Sequence, residues 1–317
     1  MFRTKLCDIL GIEYPIIQGG MVWICMHELA AAVSEAGGLG VLAGGSMTTD
    51  ELAREIRVTK GATKKPFGVN VPLLRPDAEA LIDVIIAGGA HVVATSAGNP
   101  KRFTQKIHDA GLKVIHVSPN VSLAVKGAEA GVDALVGEGI EAGGHDGFDE
   151  ITTMALIPQL VGRVNVPVIA AGGIADARGF VAALALGAQG VQIGTRFAAT
   201  HEARAHPKFK EAILSVSDTG TVVTARTFGP TRAVKNRLTE RIIEAERAGV
   251  SKEELLELIG EGRSRMAAVD GDVDEGTVYC GQIGGIVTEL AHAGDVVKEI
   301  IAEARELVKG LEKLAAQ

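Results

Sequence analysis

The feature that most constrains the fold is a phrase that recurs along the first two-thirds of the chain: "SEAGGLGVL", "IAGGAHVVA", "HDAGLKVIHV", "AEAGVDALV" and "LALGAQGVQIG". Each joins the end of a helical stretch to a glycine and then to a short apolar run, and glycine is expected there because a helix C-terminus calls for a left-handed residue. From Gly37 to Gly88, Gly111, Gly131 and Gly187 the steps are 51, 23, 20 and 56 residues. These are single or double multiples of a unit somewhat over twenty residues, so the phrase marks repeated βα units. Strands are expected near 15–19, 40–43, 67–71, 91–95, 113–117, 133–137, 167–171 and 190–194, with helices between them. Eight parallel strands so connected make an α/β fold of the (β/α)8 TIM-barrel type. A doubly wound open sheet is the alternative.

Composition agrees with strands covered on both faces. The chain is 47% hydrophobic with 40 glycines yet only 3% aromatic, which suits buried strands built from compact branched side chains. The 317 residues are enough for one large core. The barrel strands are assigned to residues 1–194. Residues 195–275 are more charged and helix-patterned, as in "NRLTERIIEAERAGV", and are expected to form a small helical insertion lobe before the last barrel helix. Residues 276–317 return to small apolar residues and end in an amphipathic helix expected to close the barrel or pack on its side.

A net charge of −7 without a basic tract argues against nucleic acid, whose binding needs a concentrated positive field. No stretch reaches eighteen apolar residues unbroken, and "MFRTKLCDILGIEYP" lacks the apolar segment of a secretory leader, so a cytoplasmic protein with no membrane partner is expected. Cys7, Cys25 and Cys280 are odd in number and far apart, which favours free, buried thiols over disulfides.

A barrel carries its site at the C-terminal ends of its strands. The segments that fall there are "QGGM", "GVN", "TSAGNP", "EGIEAGGHDG", "AAGGIAD" and "QIGTRF". Glycines at the tips of strands seven and eight expose backbone N–H groups, the way barrels hold phosphate, so Gly172, Gly173, Gly194 and Thr195 are the candidate phosphate site. In the loop after strand six, His145 lies among Gly143, Gly144 and Gly147. The glycines remove side chains that would hold a flat ligand away from the backbone, and an imidazole there can give or accept a proton. His145 is therefore the candidate catalytic residue. His91 and His116 fall in strands and are expected in the core. His108, His201, His206 and His292 are expected on helices or at the surface.

Other patterns fail on context. "GGLGVLAG" precedes its strand instead of following it, so it is no dinucleotide fingerprint. "DGDVDEG" has Glu275 and Gly281 where a calcium loop needs glycine and glutamate. His27 lacks a second histidine at position 31, and no metal site is expected.

Taken in order, "PIIQGGM", "FGVN", "TSAGNP", "EGIEAGGHDG", "PVIAAGGIAD" and "QIGTRF" resemble the FMN-dependent nitronate monooxygenase superfamily. "HPKFKEAIL", "RAVKNRLT" and "GDVDEGTVYCGQIGGIV" are similar to its flavin-dependent enoyl-[acyl-carrier-protein] reductase branch, which serves bacterial fatty-acid synthesis. The resemblance implies FMN over the barrel mouth, with its phosphate on Gly172, Gly173, Gly194 and Thr195. Gly20, Met21, Asn70 and Gln192 would line the ring and ribityl chain, Ser96 and Gly98 a further wall, and His145 the reactive face beside Gly143 and Gly144. Glu138 is open between holding the loop and holding a ligand.

The resemblance also implies NADH or NADPH as co-substrate, a monovalent cation in part of the branch, a small-molecule or carrier-protein-linked substrate, and a homodimer. The chain departs from the reductase pattern at Thr227, where a histidine is expected. Arg232, Lys235 and Arg237 are open between contacting nucleotide phosphates or an acidic carrier protein and forming a solvated face. Three activities compete: reduction of an enoyl thioester, oxidation of alkyl nitronates with oxygen, and a flavin-free sugar-phosphate isomerase or lyase using only the phosphate site.

Overall fold

In the computed structural model, which describes residues 2–316, the glycine-stopped units build a barrel. Its parallel strands are β1 (Ile16–Gln18), β2 (Gly40–Ala43), β3 (Phe67–Pro72), β4 (Val92–Ser96), β5 (Lys113–Ser118), β6 (Ala134–Glu138), β8 (Val168–Ala171) and β9 (Gly190–Ile193). They run in the order β1-β9-β8-β6-β5-β4-β3-β2. Closure comes from Leu39 at the start of β2, whose N–H donates to Ile16 O at 2.9 Å while its own carbonyl accepts from Gln18 N at 3.0 Å. The eight expected strands are all present, each shifted at its ends by no more than about two residues.

Side chains alternate along each strand. Ile17, Val41, Val92, Ala94, Ile115, Val136, Ile169 and Ala171 form the interior cluster. Val93, Val114, Val168, Ala170 and Val191 belong instead to the larger core between strands and helices. The helix Lys5–Leu10, absent from the sequence reading, sends Leu6, Cys7 and Leu10 into the interior cluster and plugs the end of the barrel away from the site. All three thiols are free and buried.

The C-terminal helix Ala293–Ala315 buries Val296, Val297, Ile300, Ile301 and Ala304. It packs on the helices His27–Glu35 and Ala177–Ala185, filling the gap between the first and last barrel units. The insertion contains the helices Arg237–Ala248 and Lys252–Ile259, each opened by a capping box. It also contains an antiparallel hairpin, β10 (Thr221–Thr224) and β11 (Thr231–Val234). β11 pairs in turn with the two-residue strand β7 (Gly144–His145), so the insertion adds a small three-stranded sheet over the barrel mouth. Among the described residues, no helix is long and apolar enough to cross a membrane.

Candidate active site

The C-terminal ends of the strands surround a cavity of about 960 Å³, and all thirteen residues singled out from the sequence line it. Gly20 and Met21 follow β1, Asn70 sits within β3, Ser96 ends β4, Gly98 follows it, and Gln192 lies in β9. The loop after β1 rests directly on Asn70: a Cβ at Gly20 would lie 2.5 Å from Asn70 Cβ. The Asn70 amide donates to Ala94 O at 3.1 Å and approaches Ser96 Oγ at 3.4 Å, which fixes its orientation across β4.

Gly172 and Gly173 turn the chain after β8 with φ of 93° and 72°, a region that favours glycine. Neighbouring groups hold this turn. Thr153 N donates to Glu141 at 2.9 and 3.0 Å, and the Thr153 hydroxyl lies 2.9 Å from Gly172 O and 3.1 Å from Glu141 Oε2. Thr195 Oγ1 accepts from Gly281 N at 2.9 Å. Among the described residues, no turn or loop carbonyl takes the amides of Gly172, Gly173, Gly194 or Thr195. Four amide donors unblocked by side chains at adjacent strand tips suit a phosphate monoester, so these residues fit the phosphate of FMN.

His145 is held by the sheet rather than by a free loop. It pairs with Thr231 of β11, and its ring meets the edge of Tyr279 at 5.8 Å between centroids. The residue is exposed toward the cavity, and desolvation by the protein around it lowers its pKa below the ordinary 6.5. The imidazole is therefore neutral at neutral pH.

Two carboxyl groups line the same cavity, Glu138 and Asp146. Burial raises Glu138 to about 7. Burial, then the nearby Glu138, raise Asp146 to about 9, opposed by Arg232. Among the described residues, neither carboxyl oxygen of Asp146 has a hydrogen-bond partner. Asp146 thus keeps its proton near neutral pH, whereas Glu138 titrates there. Because Asp146 binds a proton in the folded state up to about pH 9, while an unfolded aspartate releases it near 3.9, stability falls as pH rises through that window. Glu138 adds the same slope only up to about 7. Asp146→Asn should remove the upper part: between pH 7 and 9 the native protein should lose ~2 kcal/mol relative to the variant, as read by urea unfolding. Parallel curves for the two proteins would contradict the raised pKa.

Several site residues escaped the sequence reading. Tyr279, Gly281 and Ile283 reach the cavity from the C-terminal return, where Gln282 N also donates to Glu141 O at 2.9 Å. The small apolar "GQIGGIV" was the available signal. His116 is buried as expected, with Nδ1 2.8 Å from Thr95 Oγ1, and burial lowers it to about 4, yet it also lines the cavity. His91 is exposed, contrary to expectation, with its ring edge-on to Phe67.

Arg232 departs further from the contacts suggested for it. It is buried, donating from Nε to Ile140 O at 2.9 Å and from Nη1 to Thr221 Oγ1 at 3.2 Å, so it braces the small sheet instead of standing on a solvated face. Away from the mouth, His27, Glu28 and Glu55 converge. The Arg204 guanidinium already lies 2.7 Å from Glu28 and 3.8 Å from Glu55, which makes the group an ion-pair network.

The family model described as nitronate monooxygenase matches residues 3–81 and 78–303. Among solved structures, FabK from Thermotoga maritima is 42% identical, with a TM-score of 0.94 over 98% of this chain and 99% of that one. A nitroalkane oxidase from Streptomyces ansochromogenes is 31% identical, with a TM-score of 0.84 over 96% and 99%. A (3aS,4S,5R,7aS)-5-hydroxy-7a-methyl-1-oxo-octahydro-1H-indene-4-carboxyl-CoA dehydrogenase of Mycobacterium tuberculosis is 33% identical across 95% of this chain and 96% of its own.

Proposed function

The chain belongs to the nitronate monooxygenase family and is an oxidoreductase, and on that premise we propose that it is an FMN-dependent enoyl-acyl-carrier-protein reductase using NADH or NADPH. The observation that carries the reading is a neutral, strand-fixed imidazole lining the same cavity as the unblocked glycine backbone after β8 and β9. The 42% identity with FabK, an enoyl-acyl-carrier-protein reductase II, supports it over the other members.

When bound, FMN supplies the hydride that a 2-enoyl thioester accepts at its β-carbon. The amides of Gly172, Gly173, Gly194 and Thr195 hold the phosphate. Gly20, Met21, Asn70 and Gln192 bind the ring and ribityl chain, and Ser96 and Gly98 form the further wall. Gly143 and Gly144 let substrate approach the backbone. His145 places an N–H donor at the thioester carbonyl oxygen, where negative charge develops, and the α-carbon takes its proton from water. Asp146, raised to about 9, stays protonated at neutral pH and adds no negative charge beside a developing enolate.

A nitronate monooxygenase activity is the second reading. Thr227 standing where the reductase pattern has histidine favours it, as does the 31% identity with the nitroalkane oxidase. Anaerobic titration separates the two. Bleaching of the flavin by NADH, with colour restored by an enoyl thioester, is the expected result. Indifference to NADH with bleaching by an alkyl nitronate would transfer the chain to the second activity.

A further inference from the structure

Glu138 ends β6 at the barrel mouth. Val136, two residues earlier on the same strand, belongs to the barrel-interior cluster, so alternation turns Glu138 toward the barrel axis. There it lines the cavity beside Ala171, its apolar partner on β8. Among the described residues, no donor reaches its carboxyl group. Other acids drawn into the protein have donors: Glu55 the His27 amide, Asp133 Lys113 and the Val114 amide, Glu141 the Thr153 amide, and Glu202 the Ala293 amide. A half-buried carboxyl without a donor calls for a role.

The groups around it leave Glu138 as the one that exchanges a proton near neutrality. Asp146 keeps its proton up to about 9, and its oxygens are enclosed. Arg232 is occupied by Ile140 and Thr221, and Glu141 by Thr153. Desolvation keeps His145 and His116 neutral and Tyr279 protonated. Lys101, Lys126, Glu129 and Asp149 line the cavity from the turn after β4, the helix Val121–Glu129 and the loop after β7, off the barrel axis. Burial pushes Glu138 itself up to about 7.

We propose that Glu138 takes one proton from solvent as the bound flavin is reduced and returns it as the flavin is reoxidised. The hydride of NADH brings two electrons and one proton, so the reduced cofactor gains one negative charge. A carboxylate in the same desolvated cavity binds a proton in response, because a like charge nearby disfavours its ionised form. When hydride passes to the β-carbon of the thioester, that charge is lost. The stored proton then goes back to the cavity water that protonates the α-carbon, and the carboxylate is restored. The inference rests on the FMN reading above and adds to it a group that holds the proton each turnover consumes.

The midpoint potential of the FMN-loaded protein tests this at equilibrium, without turnover. Read against reference dyes between about pH 7.5 and 8.5, each proton taken up by a two-electron couple adds about 30 mV per pH unit. The wild type should fall by about 60 mV per unit, one proton arriving on the flavin and one on Glu138, and Glu138→Gln by about 30 mV. Glu138→Asp and His145→Gln should keep the steeper slope. Equal slopes in the wild type and Glu138→Gln would overturn the inference, as would loss of the second proton in His145→Gln instead. Should Glu138→Gln fail to hold flavin, the wild type still decides: its reduced-minus-oxidised infrared spectrum should gain a carboxylic-acid C=O band, and absence of that band overturns the inference. A yellow protein with the shallow slope sinks the inference alone. A protein that neither carries nor takes up FMN sinks the cofactor reading, and the inference with it.

Discussion

His145→Ala should leave the flavin bound and NADH able to reduce it, while reoxidation by an enoyl thioester slows about 10²–10⁴-fold, the usual contribution of a positioned proton donor. The split between half-reactions follows from where the residue sits. The imidazole lies on β7, whose partner is β11 of the insertion, whereas the amides assigned to the phosphate lie at the ends of β8 and β9. Deleting the ring removes an N–H from the cavity without touching those strands. Because β7 is fixed by backbone pairing to Thr231 and Arg232, the loop should keep its course after the side chain is lost. His145→Gln, which keeps a donor but cannot be protonated, should recover part of the rate if polarising the carbonyl dominates and none if proton delivery does. Stopped-flow absorbance follows each half-reaction separately. An unchanged oxidative half-reaction in the alanine variant would remove His145 from the mechanism, and loss of flavin would show that it is part of the cofactor cradle.

The parts of this arrangement that were legible in the sequence are those set by local rules. A glycine stop followed by four or five compact apolar residues specifies a βα unit wherever it occurs, so the strands were found, and with them the tips where Gly172, Gly194 and His145 converge. What was not legible depends on partners distant in sequence. "TVVT" and "TRAV" are four-residue strands separated by a turn, too short to stand out from the helical pattern around them. The pairing of the second with Gly144 and His145 joins residues nearly ninety positions apart. Arg232 illustrates the consequence. Beside Lys235 and Arg237 it looked like one cation of an exposed row. The small sheet instead buries it, and the Ile140 carbonyl and the Thr221 hydroxyl satisfy it. Asp146 was invisible for a similar reason: its high pKa comes from burial beneath that same sheet and from Glu138 on β6, neither of which a neighbouring residue announces.

Gly172→Val should yield a folded but colourless protein, because at this position backbone conformation and space fail together. Its φ of 93° lies where β-branched residues are outliers. A Cβ there would lie 2.7 Å from Gly139 O, 3.0 Å from Thr153 Oγ1 and 3.2 Å from Ala142 N. None of these is the loose end of a flexible side chain: two are backbone atoms, and the third is the hydroxyl tied to Glu141. The turn itself must move, and the amides of Gly172 and Gly173 move with it. The strand before it should survive, since Ala171 remains paired with Gln192 in the sheet.

Gly173→Val is milder in space, with the nearest contact at 3.4 Å to Glu141 Cβ, but keeps the strain of a φ of 72°, about 1–3 kcal/mol. It should also lose flavin. Gly111→Val provides the control. Its φ of 81° carries the same kind of strain, nothing lies within 4 Å of the added Cβ, and the residue does not line the cavity. It should be less stable yet fully yellow. The flavin-to-protein ratio after purification, read beside the thermal midpoint, separates the cases. A yellow Gly172→Val would mean the phosphate binds elsewhere, and a colourless Gly111→Val would mean that flavin retention reports general stability rather than the turn after β8.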